Sequence, residues 1–379
     1  MFTLVFKLLS IPPIESVMRR VVVLTVLAAL GCLAPGAAQA VVPAQGSGVA
    51  APSAMPGSAL HWADAQVATV IAAGVLGTDS AGFRPADPLT RGDLYAALAA
   101  LGKTVRAPAD PARLVTMREL NAQLVGALGL LPAAKRFRTA ALDAGLQPGA
   151  SLGTETVARL LGLRFNHPQG HDDLELLSTQ PATRAEAAYS LARVLQLGPD
   201  APAYVDGLSL GFAIPELGNW QRAALSRALR FVGFPYVWAG TSEKRQQLWS
   251  ATAPGGLSSA PGGFDCSGFV WRVYKLEPFS GAPSLNEILK GRTTYLMSAE
   301  VRKDARIPLE GLQPGDLVFF GARGAKSKPA EVGHMGIYVG NGWMVHSSSN
   351  GVTLAPLQGW YLKSFAWGRR PLAEAGLVA

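Results

Sequence analysis

The sequence predicts an α+β domain in its C-terminal half, preceded by a mainly α-helical domain. Three observations carry this. Between residues 60 and 198, apolar residues recur at helical spacing, as in Val67, Val70 and Ile71 and again in Leu94, Leu98 and Leu101. From Trp220 the chain reads as an amphipathic helix with Leu225, Leu229 and Val232 inward, and a second helix opens at Cys266 with Phe269, Val270, Val273 and Leu276 on one side. After Pro314 the pattern changes to short strand-like runs, Leu317 to Phe320, His334 to Val339 and Trp343 to Ser347.

A chain of 379 residues is long enough for two or three domains, and 49% hydrophobic against 16% charged residues is a globular composition. The net charge of +8 is unevenly spread. Residues 41–215 carry 13 Lys and Arg against 14 Asp and Glu; residues 216–379 carry 18 against 11. A basic excess on the half with Cys266 fits either a solvated surface or a polyanionic partner. No nucleic-acid motif accompanies it, so nucleic acid is not an expected partner and a cell-wall polymer is.

Met18-Arg19-Arg20, the apolar run Val21 to Leu30 and Ala38-Gln39-Ala40 have the order of a secretory signal peptide spanning residues 1–40, with Met18 as an alternative start. The run is too short for a comfortable membrane span, so the mature chain is expected to have no transmembrane helix. Cys32 raises a lipid-anchor option, but Ala29-Leu30-Gly31 matches an attachment box poorly. Removal of this segment leaves Cys266 as the one cysteine, with no internal disulfide. A lone thiol in an exported protein is a liability unless it is used; the bland alternative is an inert buried cysteine.

Residues 41–58, rich in Ala, Pro, Gly and Ser, read as a flexible leader. Then come Leu60-His61-Trp62-Ala63, Gly82-Phe83-Arg84-Pro85, and Thr90-Arg91-Gly92-Asp93, the last an N-cap pattern. Echoes of that helix start recur at Thr116, Thr154 and Thr183-Arg184-Ala185-Glu186. This region, 59–198, resembles S-layer homology (SLH) repeats. The resemblance implies a helical wall-binding domain, with Arg91 and Arg184 near an anionic wall polysaccharide. Helix capping alone would also account for these positions. Residues 199–216, with Pro199, Pro202 and Pro215, are expected to be a linker with some apolar contact to the next domain.

The chemistry concentrates in residues 217–372. Cys266 opens its helix, where the helix dipole is expected to acidify the thiol and free N–H groups can face an oxyanion. His334 and His346 sit in adjacent strand-like runs around Gly340-Asn341-Gly342. Strand parity decides whether the two rings meet. A two-residue Asn-Gly loop puts them on opposite faces; a longer loop or a bulge pairs His346 with Gly336 and brings both rings to one face. The chemistry requires the second arrangement. Cys266 would then attack a carbonyl, His334 would take its proton, and His346 would orient His334. Zinc ligation by one Cys and two His is the alternative, but a thiol at a helix start suits a nucleophile better.

Phe-Pro-Tyr-Val-Trp-Ala-Gly at 234–240, Phe-Asp-Cys-Ser-Gly-Phe-Val at 264–270, Leu-Gln-Pro-Gly-Asp-Leu-Val-Phe-Phe at 312–320, Gly-His-Met-Gly-Ile-Tyr-Val-Gly-Asn-Gly at 333–342 and Met-Val-His-Ser at 344–347 resemble the NlpC/p60 family of cell-wall cysteine peptidases. The resemblance implies a papain-like α+β fold, catalytic Cys266, His334 and His346, and no metal or cofactor. It also implies cleavage of peptidoglycan stem peptides, usually between D-glutamate and a diamino acid. Tyr236 takes the family's oxyanion-assisting position, Asp265 and Ser267 positions that hold the substrate's amino end, and Arg292 a position where the family often has Arg, here without the usual preceding Pro. Ala239 replaces a usual Gly, and the 241–261 loop is long.

The expected protein is a secreted or envelope-bound peptidoglycan endopeptidase. Its rivals are an amidase or acyltransferase of the same superfamily and a catalytically silent wall-binding protein. The two domains are expected to be separable, so that deletion of residues 41–200 lowers wall retention but spares cleavage of a soluble stem peptide.

Overall fold

The computed structural model describes residues 61–377. The expected signal peptide, the expected leader and Cys32 lie outside the described residues.

The helical domain is organised by three helix starts. Helices α1 (Asp64–Ala72), α2 (Arg91–Ala100), α3 (Met117–Ala127), α4 (Leu131–Asp143), α5 (Leu152–Leu160) and α6 (Arg184–Gln196) follow in order. Thr90, Thr116 and Thr183 are the N-caps of α2, α3 and α6, each hydroxyl accepting from the N–H three residues on. The residues before these caps close a ring of backbone hydrogen bonds. Leu89 N–H donates to Ala182 O (2.7 Å), Ala182 N–H to Val115 O (2.8 Å), and Val115 N–H to Leu89 O (2.9 Å). All three side chains are buried, so the ring is part of the core. The fourth predicted start is corrected: α5 begins at Leu152 with Ser151 at its N-cap, and Thr154 lies inside it with its hydroxyl donating to Ser151 O. Its helix carries the buried face but takes no part in the ring.

Part of the expected linker is helical. Residues 200–210 form helix α7 (Asp200–Leu210), which packs on α4, where Arg136 bonds Asp206 and Ser209. Phe212, just beyond it, lies between Phe137 of the helical domain and Trp343 of the sheet. The Pro and Gly content hid a helix that tertiary packing supplies.

The C-terminal domain is α+β. Helix α8 (Asn219–Leu229) leads to the short strands β1 (Thr241–Ser242), β2 (Gln246–Trp249), β3 (Leu257–Ala260) and β4 (Gly263–Phe264), then to α9 (Cys266–Trp271). Helices α10 (Leu285–Ile288) and α11 (Thr294–Ala299) precede the main sheet of β5 (Leu317–Gly321), β6 (Val332–Gly340), β7 (Trp343–Ser348), β8 (Gly351–Pro356) and β9 (Phe365–Arg369). That sheet is antiparallel with order β8-β7-β6-β5-β9. Alternation sorts its two faces: Phe319, Met335, Ile337 and Val345 join the core shared with Phe269 and Val270 of α9, while Val318, Phe320 and Met344 form a second cluster on the other face.

The long 241–261 loop is a hairpin, β2 paired with β3, and it docks on the helical domain. Thr252 Oγ1 donates to Gln169 O (2.8 Å) and Ser258 Oγ to Asp172 Oδ2 (2.7 Å). No helix among the described residues is long and apolar enough to cross a membrane.

Candidate active site

Three elements bring the site together. Asp265 caps α9, its carboxylate accepting from Gly268 N–H, and this fixes Cys266 at the first helical position. Strand β6 carries His334 near its start, and β7 carries His346. Ile337 pairs with Val345, Tyr338 with Met344 and Gly340 with Trp343, so Val339 bulges out of the ladder. The turn itself is the two-residue Asn341-Gly342, both at positive φ (49° and 76°) as a type I′ turn requires. Both sequence signals therefore hold: the turn is the short one, and the bulge restores the parity that puts the imidazoles together.

His334 Nε2 lies 2.8 Å from His346 Nδ1, with the rings nearly perpendicular. The pair packs among Phe320, Trp360 and Tyr361. Gly336 leaves the room this needs: a Cβ there would stand 2.9 Å from His346 Cβ. Their face of the sheet is turned away from the apolar side of α9. The thiol reaches the sheet at the Met335 peptide, next to His334, and its hydrogen-bond partner is Thr294 Oγ1 at 3.3 Å.

The electrostatics correct one expectation. Cys266 is 9% exposed, and burial pushes its thiol up to about 11. The Asp265 carboxylate adds to the rise, whereas Thr294 and the N–H groups of Ser267 and Met335 oppose it. Desolvation of a thiolate thus outweighs the hydrogen bonds that favour it. Burial also holds the His334 imidazolium down to about 4, and His346 well below its ordinary value with His334 as a second cause. Burial therefore favours the neutral thiol and neutral rings over the thiolate–imidazolium pair expected from sequence.

Tyr236 is half-buried, and burial, then the proximity of Cys266 and Asp265, raise its phenol. Its backbone lies beside Phe264, the residue two before the thiol. Arg292 is tied firmly into this wall: it donates to Ser267 Oγ (2.7 Å), to Asp265 Oδ2 (3.1 Å) and to Ala239 O (3.1 Å). Asp265, Ser267 and Arg292 are therefore one network, grouped as the sequence placed them. Ala239 itself has φ of 61°, the left-handed conformation for which glycine is the usual residue.

Arg91 and Arg184 lie away from this site, in the helical domain. Arg91 bridges to Glu119 at 2.6 Å, and Arg184 to Asp93 at 3.3 Å, each joining one helix start to the next. Arg91 keeps a third of its side chain exposed; Arg184 keeps little.

Two residues at the candidate site escaped the sequence reading. Thr294 lies two residues after Arg292, and its β-hydroxyl beside a candidate nucleophile had no pattern to mark it. Asn166 comes from the helical domain, 70 residues before the tyrosine it contacts, and local periodicity carries no trace of such a pairing.

In the C-terminal domain, then, the Cys266 helix start meets an antiparallel sheet at the Met335 peptide, and that sheet carries two bonded imidazoles. Residues 233–370 match the family described as NlpC/P60 family, and residues 57–94 match the S-layer homology domain, so this chain carries an NlpC/P60 domain behind an S-layer homology segment. A probable endopeptidase of Mycobacterium tuberculosis is 31% identical over 144 residues, which cover 38% of this chain and 28% of that protein. A gamma-D-glutamyl-L-lysine dipeptidyl-peptidase of Bacillus cereus is 32% identical over 149 residues, 38% of this chain and 34% of that one. The chain thus spans well under half the length of these curated relatives. Among solved structures, an NlpC/P60 family protein from Bacillus cereus shares 28% identity at a TM-score of 0.29, covering 43% of each chain.

Proposed function

We propose that this protein is a peptidoglycan endopeptidase of the cell envelope, exported by its N-terminal signal and using Cys266, His334 and His346. The single observation that carries the reading is the 2.8 Å contact between the imidazoles. It fixes the tautomer and orientation of His334 beside the Cys266 helix start.

The reaction would run as acyl transfer. The Cys266 proton passes to His334 as Sγ adds to the amide carbonyl, and the tetrahedral oxyanion is met by N–H groups at the start of α9 and by the Tyr236 hydroxyl. His334 returns the proton to the leaving amine. Water, activated by the same ring, then hydrolyses the thioester. Because burial favours the neutral thiol and ring, the proton would move only as Sγ adds to the substrate carbonyl. Asp265, Ser267 and Arg292 would hold the substrate's amino end. The names of the relatives support a bond between D-glutamate and a diamino acid as the one cut. The S-layer homology segment supports retention on an anionic wall polymer, with Arg91 the better exposed candidate contact.

The test is mass spectrometry of muropeptides after digestion of purified walls. New stem-peptide ends at D-glutamate are expected. Release of whole stem peptides from the glycan would favour an amidase, and an unchanged muropeptide profile would favour a silent wall-binding protein.

A further inference from the structure

The helical domain reaches into the candidate active site at one residue. Asn166 Oδ1 accepts from Tyr236 N–H at 2.7 Å, and Asn166 Nδ2 donates to Tyr236 O at 2.9 Å. A side-chain carboxamide thus fills the place that a neighbouring strand's peptide would take. On the other edge of the same segment, Phe264 N–H donates to Pro235 O and Val237 N–H donates to Phe264 O, both at 3.2 Å. The Tyr236 backbone is therefore held from two sides. Phe264 ties it to the strand that leads into Cys266, and Asn166 ties it to another domain.

Asn166 is itself rigidly mounted. Phe165 stacks on Trp62 with ring centroids 4.6 Å apart, and the His167 ring meets Trp62 edge-on. His167 N–H donates to Glu175, and its Nε2 lies 3.1 Å from Glu186. A second tie runs parallel: the buried Arg159 donates to Gly233 O and to Asn350 O. Gly233 begins the segment that carries Tyr236, and Asn350 follows the strand that carries His346.

We infer that Asn166 is a positioning residue for Tyr236, so that the helical domain completes the active site and is not only an anchor. The inference rests on the cysteine-peptidase reading. It reverses the expectation that the two domains are separable. A hydroxyl that assists an oxyanion must be held within a few tenths of an ångström of its working place. Without the carboxamide, the Tyr236 peptide loses both of its hydrogen bonds on that edge.

Steady-state cleavage of a soluble stem peptide by the full chain tests this, with wild type, Asn166→Ala, Tyr236→Phe and the double variant compared. Asn166→Ala is expected to lower kcat by about 10-fold or more while KM moves little, in the range for weakening one oxyanion donor. In the Tyr236→Phe background it should add less than about twofold, because coupled residues are not additive. Thr252→Ala, which removes a different interdomain hydrogen bond, should keep the wild-type kcat. Hydrogen exchange provides a readout that needs no catalysis: the Tyr236 amide should lose protection in Asn166→Ala and keep it in Thr252→Ala. A wild-type kcat in Asn166→Ala, losses that multiply in the double variant, or an unchanged Tyr236 amide would each overturn the inference. A wild type that cleaves nothing would instead overturn the peptidase reading, and the amide exchange would still report whether Asn166 holds Tyr236.

Discussion

His334 Nε2 and His346 Nδ1 stand 2.8 Å apart although the turn between their strands, Asn341-Gly342, would by itself put them on opposite faces. The bulge at Val339 reconciles the two. One extra residue in β6 restores the parity, and Gly336 opens the space for His346. The backbone thus brings both histidines to one face, within reach of each other.

His346 is predicted to act through His334. His346→Ala leaves His334 Nε2 without a partner in a buried setting and should lower kcat by about 100-fold, in the range for losing one member of a hydrogen-bonded catalytic unit. His346→Asn, which can still accept or donate at that place, should recover part of the loss. Equal kcat for wild type and His346→Ala would remove its orienting role.

The pH dependence follows from burial. With the thiol up at about 11 and His334 down at about 4, the competent neutral pair exists between those values. A plateau in kcat/KM is expected from about pH 5 to 9, with an acid limb near 4. An acid limb at 6.5 would show an ordinary, solvated imidazole. The same shift bears on stability. The His334 pKa is lowered on folding, so its contribution is full above 6.5 and is lost as pH falls through about 4.

Glu175 in the helical domain gives the opposite sign. Burial, then neighbouring Glu186, raise its carboxyl to about 8, against the pull of His167 N–H, Arg164 and Arg159. A raised carboxyl stabilises fully below about 4.5, and that stability is lost as pH rises through about 8. Glu175→Gln keeps an acceptor for His167 N–H and cannot ionise. Its Tm should therefore exceed that of wild type at pH 9, with the gap closing towards pH 6. A gap that does not change with pH would place the ionisation elsewhere.

Ala239 holds a positive φ that glycine adopts without strain. Ala239→Gly should relieve about 1 kcal/mol of that strain, partly offset by glycine's freedom in the unfolded chain. A Tm rise of about 1–3 °C is expected in thermal unfolding. A fall would show that the Arg292 bond to Ala239 O, and not the side chain at 239, sets this turn.

Much of this was legible in the sequence, for local reasons. Thr90, Thr116 and Thr183 announce their helices because a cap is a contact over three residues, and Asp265 and Cys266 announce theirs in the same way. The strands around the histidines show in their alternation. What escaped depends on distant partners. Thr154 has a cap's sequence but sits one turn too late. The helix at 200–210 contains Pro202 and Gly207 and exists because Arg136 and α4 receive it. Asn166 has no local signature because its partner lies 70 residues away. The acidic thiol expected at a helix start is opposed by burial, which sequence position does not reveal and which is the largest influence on the thiol.

The most direct measurement is the digestion of purified walls by wild type and by Cys266→Ala at equal concentration, with folding of both checked by thermal unfolding. The account predicts that the variant folds, stays on the wall as wild type does, and releases no new stem-peptide ends. Release of the same fragments by folded Cys266→Ala would contradict it.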